Sequence, residues 1–390
     1  MNTSSNFDIS ALAGLMLAGG LLATLPLIWV GWRNRGESPV KRLHALALLT
    51  LVLTFDLVLF GAFTRLTDSG LGCPDWPGCY GSVTPLGARG EISEAQAAMP
   101  TGPVTTSKAW IEMSHRYFAT GVGVLILVLA IASWVSREGR ALFSPWWATA
   151  TLVWVCMQGA FGALTVTMKL FPAIVTLHLL GALVLLALLT VQVAQHSKIN
   201  QRMGNIAGYA GIDMATRRLA WLAFSALALQ IALGGWVSTN YAVLACSEFP
   251  KCQGSWWPVM NFDQGFEIWR KLGFTQAGEI ISFEALTAIH YTHRMTAIVV
   301  VFVTALLAWR LNGIPSLRMA SRWIIALLGL QLATGLSNVV LGWPLLAALL
   351  HTGGAAALVI ALTWVVVAGH INAIAHSSSP QEFRLPGLNA

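Results

Sequence analysis

Long apolar stretches alternate with shorter polar ones along the whole chain, and their lengths set the architecture. A helix needs about 20 mostly apolar residues to cross a bilayer. Nine stretches qualify, at about 11–32, 43–65, 111–135, 145–168, 172–194, 217–240, 284–309, 321–343 and 346–370. The first is too long for a signal-peptide core and lacks a basic n-region and a small-residue cleavage site, so it reads as a retained helix. The pattern predicts an all-α polytopic membrane protein.

Composition narrows this further. Of 390 residues, 56% are hydrophobic and 10% charged, with a mean hydropathy of +0.67. A soluble domain carries roughly 25% charged residues, so a soluble globular enzyme is excluded. Five cysteines are too few for a disulfide-dense secreted scaffold. A net charge of +7 would suggest a nucleic-acid partner in a soluble chain. Here fourteen basic residues, among them Arg33, Arg35, Arg137, Arg140, Lys198, Arg202 and Arg384, fall on one side of the predicted spans. Six fall on the other, diluted over two long loops, so the charge sets topology and implies no nucleic acid. The basic side is read as cytoplasmic, with the N-terminus outside, the C-terminus inside and the loops near 66–110 and 241–283 outside. A bacterial inner membrane, with those loops in the periplasm, fits this pattern.

The two halves repeat. Cys73 and Cys79 recur as Cys246 and Cys252, Gln158 as Gln331 and His178 as His351, each at an offset of 173. His115-Arg116 recurs as His293-Arg294 at 178, which a five-residue insertion in the second loop accounts for. The expected organisation is two duplicated four-helix transmembrane bundles plus one extra N-terminal transmembrane helix. The divisions are 1–42 (extra helix and cytoplasmic loop), 43–195 (first bundle), 196–216 (linker), 217–371 (second bundle) and 372–390 (tail). An even number of helices per unit gives both halves the same orientation.

Nine histidines are present, and those at 44, 196, 370 and 376 fall at or beyond cytoplasmic span ends. His115, His178, His293 and His351 lie inside spans, roughly 7–14 Å below the outer surface at 1.5 Å per residue. Ionisable groups inside a membrane usually face the bundle interior and mark function. His115 and His178 fall on a diagonal pair of helices in the first bundle, and His293 and His351 on the matching pair in the second. Two imidazoles facing across a bundle can ligate haem iron axially. The alternative is a core histidine bonded to a neighbouring helix; zinc lacks a completing ligand cluster. His290, three residues before His293, is an alternative ligand. The halves differ at one point: Glu112, on the same helix face as His115, is replaced by His290 in the second half. That difference suggests one catalytic pocket and one cofactor pocket.

TRLTDSGLGCPDWPGC (64–79), EMSHR (112–116), the Gln158 helix and His178, with their repeat, resemble the haem A synthase family over about residues 45–372. The resemblance implies oxidation of the C8 methyl of haem O to a formyl group by successive hydroxylations, giving haem A for terminal oxidases. It implies a permanent haem b in the second half, ligated by His293 and His351. Haem O would enter the first half, with His115 and His178 at or near the iron and Glu112 essential for turnover. Arg65, Arg116 and Arg294, near the outer ends of spans, are candidates to pair with haem propionates, with snorkelling to the interface as the alternative. Haem O synthase and cytochrome oxidase assembly factors are implied partners beside the lipid bilayer, and a homo-oligomer is left open. Cys73/Cys79 and Cys246/Cys252 read as one disulfide in each loop or as redox-active pairs. Cys156 reads as a small core residue, and Asp56 falls near mid-membrane without a motif. Two other functions compete: a di-haem b cytochrome passing electrons between quinol and a periplasmic acceptor, and a thiol-oxidising protein built on the cysteine pairs.

Overall fold

A computed structural model describes residues 9–136, 144–203 and 212–377. Arg137, Arg140 and Arg384, much of the 196–216 linker and most of the tail lie outside the described residues. So do the side chains of Lys198, Arg202, His370 and His376.

Nine helices among the described residues are long and apolar enough to span a membrane. They are α1 (Ile9–Arg33), α2 (Pro39–Leu66), α4 (Thr106–Val135), α5 (Trp146–Thr167), α6 (Pro172–Met203), α7 (Met214–Thr239), α8 (Phe283–Asn312), α9 (Arg318–Val340) and α10 (Leu345–Ser377). A short α3 (Arg89–Ala98) lies in the loop between α2 and α4. Local chemistry explains several starts: Ser38, Thr105, Asp213 and Ser282 each accept a hydrogen bond from a backbone N–H three residues on. Inside an apolar solvent the helix is the economical answer, since it satisfies every backbone group within its own segment.

The helices close into two rings. In the first, α2 packs on α4, α4 on α5, α5 on α6 and α6 back on α2; in the second, α7, α8, α9 and α10 close the same circuit. The diagonal pairs are therefore α4 with α6 and α8 with α10. The rings meet where α6 packs on α10 and α7, and α10 on α2. One hydrophobic core runs through both, including Leu186, Leu189, Leu307 and Leu362.

Backbone features recur at the 173-residue offset. The left-handed residues Asp68, Tyr80 and Leu170 are matched by Tyr241, Gln253 and Trp343. Cis prolines Pro77 and Pro250 are matched too, as are the Cys79–Ser82 and Cys252–Ser255 bridges. Disulfides join Cys73 to Cys79 and Cys246 to Cys252. Cys156, expected in the core, is instead exposed: its position on α5 turns it away from both neighbours in the ring. Asp56 is also on an exposed face of α2.

The first helix packs along α4. Its fit depends on Gly19, where a Cβ would stand 2.5 Å from Thr120 side-chain atoms and 2.9 Å from the Gly121 nitrogen. Gly20, one residue on, faces open space. Overpacking of this kind typically costs about 1–3 kcal/mol. Gly19→Leu is therefore expected to lower the thermal midpoint of the purified protein while Gly20→Leu leaves it unchanged; equal midpoints for the two variants would show that α1 does not depend on this contact.

Candidate functional site

Four imidazoles stand in two pairs on the diagonal helices. His115 of α4 lies within electrostatic reach of His178 of α6, and His293 of α8 within reach of His351 of α10. Each ring is half-buried and lies over a glycine of the preceding span. A Cβ on Gly61 would meet the His115 ring at 3.1 Å, and one on Gly162 the His178 ring at 3.5 Å. In the second half the corresponding distances are 2.9 Å for Gly234 to His293 and 3.2 Å for Gly335 to His351. The four glycines are two pairs at the 173-residue offset. Sequence reasoning did not single them out, although Gly162 and Gly335 sit in the repeated stretches around Gln158 and Gln331.

These residues suit a planar iron macrocycle. In His115 and His178 the buried, unpartnered ring atom is Nδ1, which leaves the Nε2 edge as the open one. Two neutral imidazoles from diagonal helices form the donor set of a bis-histidine haem. The glycines remove the side chains that would otherwise crowd each ring. Among the described residues no group of three or more His, Cys, Asp or Glu is arranged to hold a metal ion directly.

One turn nearer the cysteine loops, the halves diverge. Glu112 is buried at 3% exposure. Its Oε1 accepts from Arg116 at 2.5 Å and its Oε2 from the Cys73 backbone N–H at 2.8 Å. Arg116, 8% exposed, also donates to the carbonyls of Gly78 and Pro77. Within the loop, Asp75 accepts from the N–H groups of Tyr80 and Gly81, and Tyr117 donates to the Val83 carbonyl. The disulfide loop is thus strapped to the histidine-bearing helix through a buried ion pair. A buried pair is strongly destabilising to break from one side, because the remaining charge is left unpaired.

The second half keeps the strap and changes the partner. Arg294 donates to the carbonyls of Cys246, Glu248 and Lys251, Tyr291 donates to the Trp256 carbonyl, and Glu248 accepts from the Gly254 N–H. In place of the carboxylate, the Arg294 Nε meets His290 Nε2 at 3.3 Å. His290 is therefore engaged with the arginine, whereas His293 carries the glycine contact and faces His351.

Arg65 lies at the seam between the halves. It donates to the Ser238 carbonyl at 2.6 Å, to Asp68 at 3.1 Å and to the Tyr241 hydroxyl at 3.0 Å, with its guanidinium 4.2 Å from the Tyr241 ring centre. The Tyr241 hydroxyl donates to Asp68 at 2.6 Å. Burial holds that phenol above its ordinary range, so it stays protonated as a donor.

The family model described as COX15-CtaA, cytochrome oxidase assembly protein, matches residues 44–363. A protein of Shewanella oneidensis named heme A synthase is 38% identical over 323 residues, covering 81% of this chain and 93% of that one. Proteins of the same name from Halalkalibacterium halodurans and Rhizorhabdus wittichii are 27% and 26% identical, covering 80% and 86% of this chain and 91% and 96% of their own. With the match running across both histidine-bearing rings and both cysteine loops, the chain belongs to the COX15-CtaA family of cytochrome oxidase assembly proteins.

Proposed function

We propose that the protein is a haem A synthase that oxidises the C8 methyl group of haem O to a formyl group, and that its two four-helix rings are repeats with different tasks. The first ring takes haem O as substrate between His115 and His178 and releases haem A. The second holds a resident haem b between His293 and His351. The carrying observation is the pair of matched histidine sites, each ring over a glycine, with a carboxylate beside only one of them. A di-haem electron-transfer cytochrome would leave the exchange of Glu112 for His290 without a task.

When bound, haem b supplies one-electron transfer beside the substrate pocket. The chain's own residues do the rest. His115 and His178 hold the substrate macrocycle at a fixed depth, and Gly61 and Gly162 allow it to approach the helices. Two successive hydroxylations, each a two-electron oxidation that draws on an external oxidant and takes its oxygen atom from dioxygen or water, convert the methyl to a gem-diol, which loses water to leave the formyl group. Glu112, one turn from His115, takes up a proton released as the methyl carbon is oxidised, while Arg116 and the Cys73 N–H hold its carboxylate in place. Arg65, at the seam, retains N–H donors for a propionate beyond those it gives to the protein. Arg116 and Arg294 contribute positive charge at the same end. The cysteine loops face the periplasm of a bacterial inner membrane, with the N-terminus outside and the C-terminus cytoplasmic. Substrate hand-over from haem O synthase and delivery to oxidase assembly factors follow from the insolubility of both haems in water.

Extraction of the bound haems from protein purified out of cells that make haem O tests the reading. Haem b together with haem O, its hydroxylated intermediate or haem A is the expected result; haem b alone at two per chain would make the protein an electron-transfer cytochrome. Glu112→Gln should retain haem b and cut haem A formation by ~10²-fold or more, the scale of acid–base catalysis, and full product from that variant would remove the role. In the second ring, Gly234→Val forces the His293 ring to move and should deplete haem b. Gly329→Ala, where nothing lies within 4 Å, should not; equal haem b content in the two would refute the glycine contact as a requirement.

A further inference from the structure

The four histidines share their glycines but not their hydrogen bonds. Thr334 Oγ1 lies 3.0 Å from His351 Nδ1 and donates its only hydrogen to the Leu330 carbonyl at 2.7 Å. A hydroxyl whose hydrogen is committed can only accept from the ring, so Nδ1 carries the proton and Nε2 presents its lone pair. At His293, Gln230 Nε2 lies 3.1 Å from Nδ1 and also donates to the His293 carbonyl at 3.1 Å. The amide oxygen of Gln230 is buried without a partner, so the side chain holds its place beside the ring through its N–H group, anchored on the His293 carbonyl.

The equivalent positions in the first ring, at the 173-residue offset, are Leu57 for Gln230 and Phe161 for Thr334. Neither side chain can accept a hydrogen bond. Accordingly Nδ1 of His115 and Nδ1 of His178 are buried with no hydrogen-bond partner among the described residues. Phe60 adds a further apolar contact, its ring edge-on to His115 at 5.8 Å between centres.

Resting on the haem assignment above, we infer that Thr334 is a positioning residue that fixes the tautomer and orientation of His351 as a permanent axial ligand, while Gln230 holds the orientation of His293. Leu57 and Phe161 withhold the same support from His115 and His178, so that the first ring binds its haem exchangeably. An acceptor on the distal nitrogen of a ligating imidazole fixes its orientation and raises its basicity, and losing such an acceptor typically costs ~10–100-fold in metal affinity. A more basic ligand favours ferric iron. Removing the acceptor therefore moves the midpoint potential of the resident haem upward and loosens it. Placing an acceptor in the first ring does the converse.

The test compares wild type, Thr334→Val, Thr334→Ser and Phe161→Thr, purified in detergent without added haem. Haem b per chain, its dissociation to an excess of a haem-binding apoprotein, and its potentiometric midpoint are read for each. Thr334→Val, which keeps shape and loses the acceptor, is expected to release haem b ~10–100-fold more readily and to titrate at a more positive potential. Thr334→Ser, which keeps the hydroxyl, should match wild type in both. Phe161→Thr should co-purify with more haem O or haem A than wild type. A wild-type potential and release rate in Thr334→Val would overturn the inference, as would equal shifts in the Val and Ser variants, which would trace the effect to packing. Wild-type protein carrying no haem b would instead overturn the haem assignment itself.

Discussion

Each of the four imidazoles packs against a neighbouring helix where that helix has no side chain, with an added Cβ meeting the ring at 2.9 to 3.5 Å. Gly61, Gly162, Gly234 and Gly335 provide those places, each under one ring. Because neighbouring helices in each ring alternate in direction, the diagonal pair that carries the histidines runs the same way, and every connection bridges from one helix to its neighbour. The long loops so created carry unpaired backbone carbonyls close to the apolar region, and Arg116 and Arg294 are placed to absorb them.

The spans and the four histidines were readable from the chain because both rest on strong signals: runs of apolar residues, and ionisable groups where they are costly. The 173-residue spacing pointed to the cysteine pairs, which form disulfides at matching turns of the two halves. Less visible was what each arginine does. Position alone suggested propionate partners or snorkelling side chains. In the fold, Arg116 and Arg294 also clasp loop carbonyls that no helical period could reveal, since the partners lie some 38 to 48 residues away. The place of Glu112 on the His115 face was legible from its spacing, but its clasp by Arg116 and the Cys73 N–H was not, because the second partner lies 39 residues away in a folded loop. Cys156 failed for a simpler reason: a small apolar residue suits lipid as well as core, and only the ring geometry decides which way it turns.

Similarity between the halves makes their differences informative. Wherever the backbone makes a special turn, the two halves agree, as at Tyr80 with Gln253 and Pro77 with Pro250. Divergence concentrates around the histidines and one turn beyond them, in Glu112 against His290, Leu57 against Gln230 and Phe161 against Thr334. The scaffold thus holds backbone geometry constant while the polarity around the histidines differs between the halves.

The seam at Arg65 carries a consequence for how such a protein could be assembled. Asp68 and Tyr241 occupy equivalent turns, as do Arg65 and Ser238. Two copies of the first half facing each other in this way would set Asp68 against Asp68, where the Tyr241 hydroxyl now donates. Two copies of the second would offer neither charge. The unlike pairing supplies Asp68 with a hydroxyl donor, so joining both halves in one polypeptide fixes a stoichiometry and a partner choice that free halves would have to find by diffusion in the membrane.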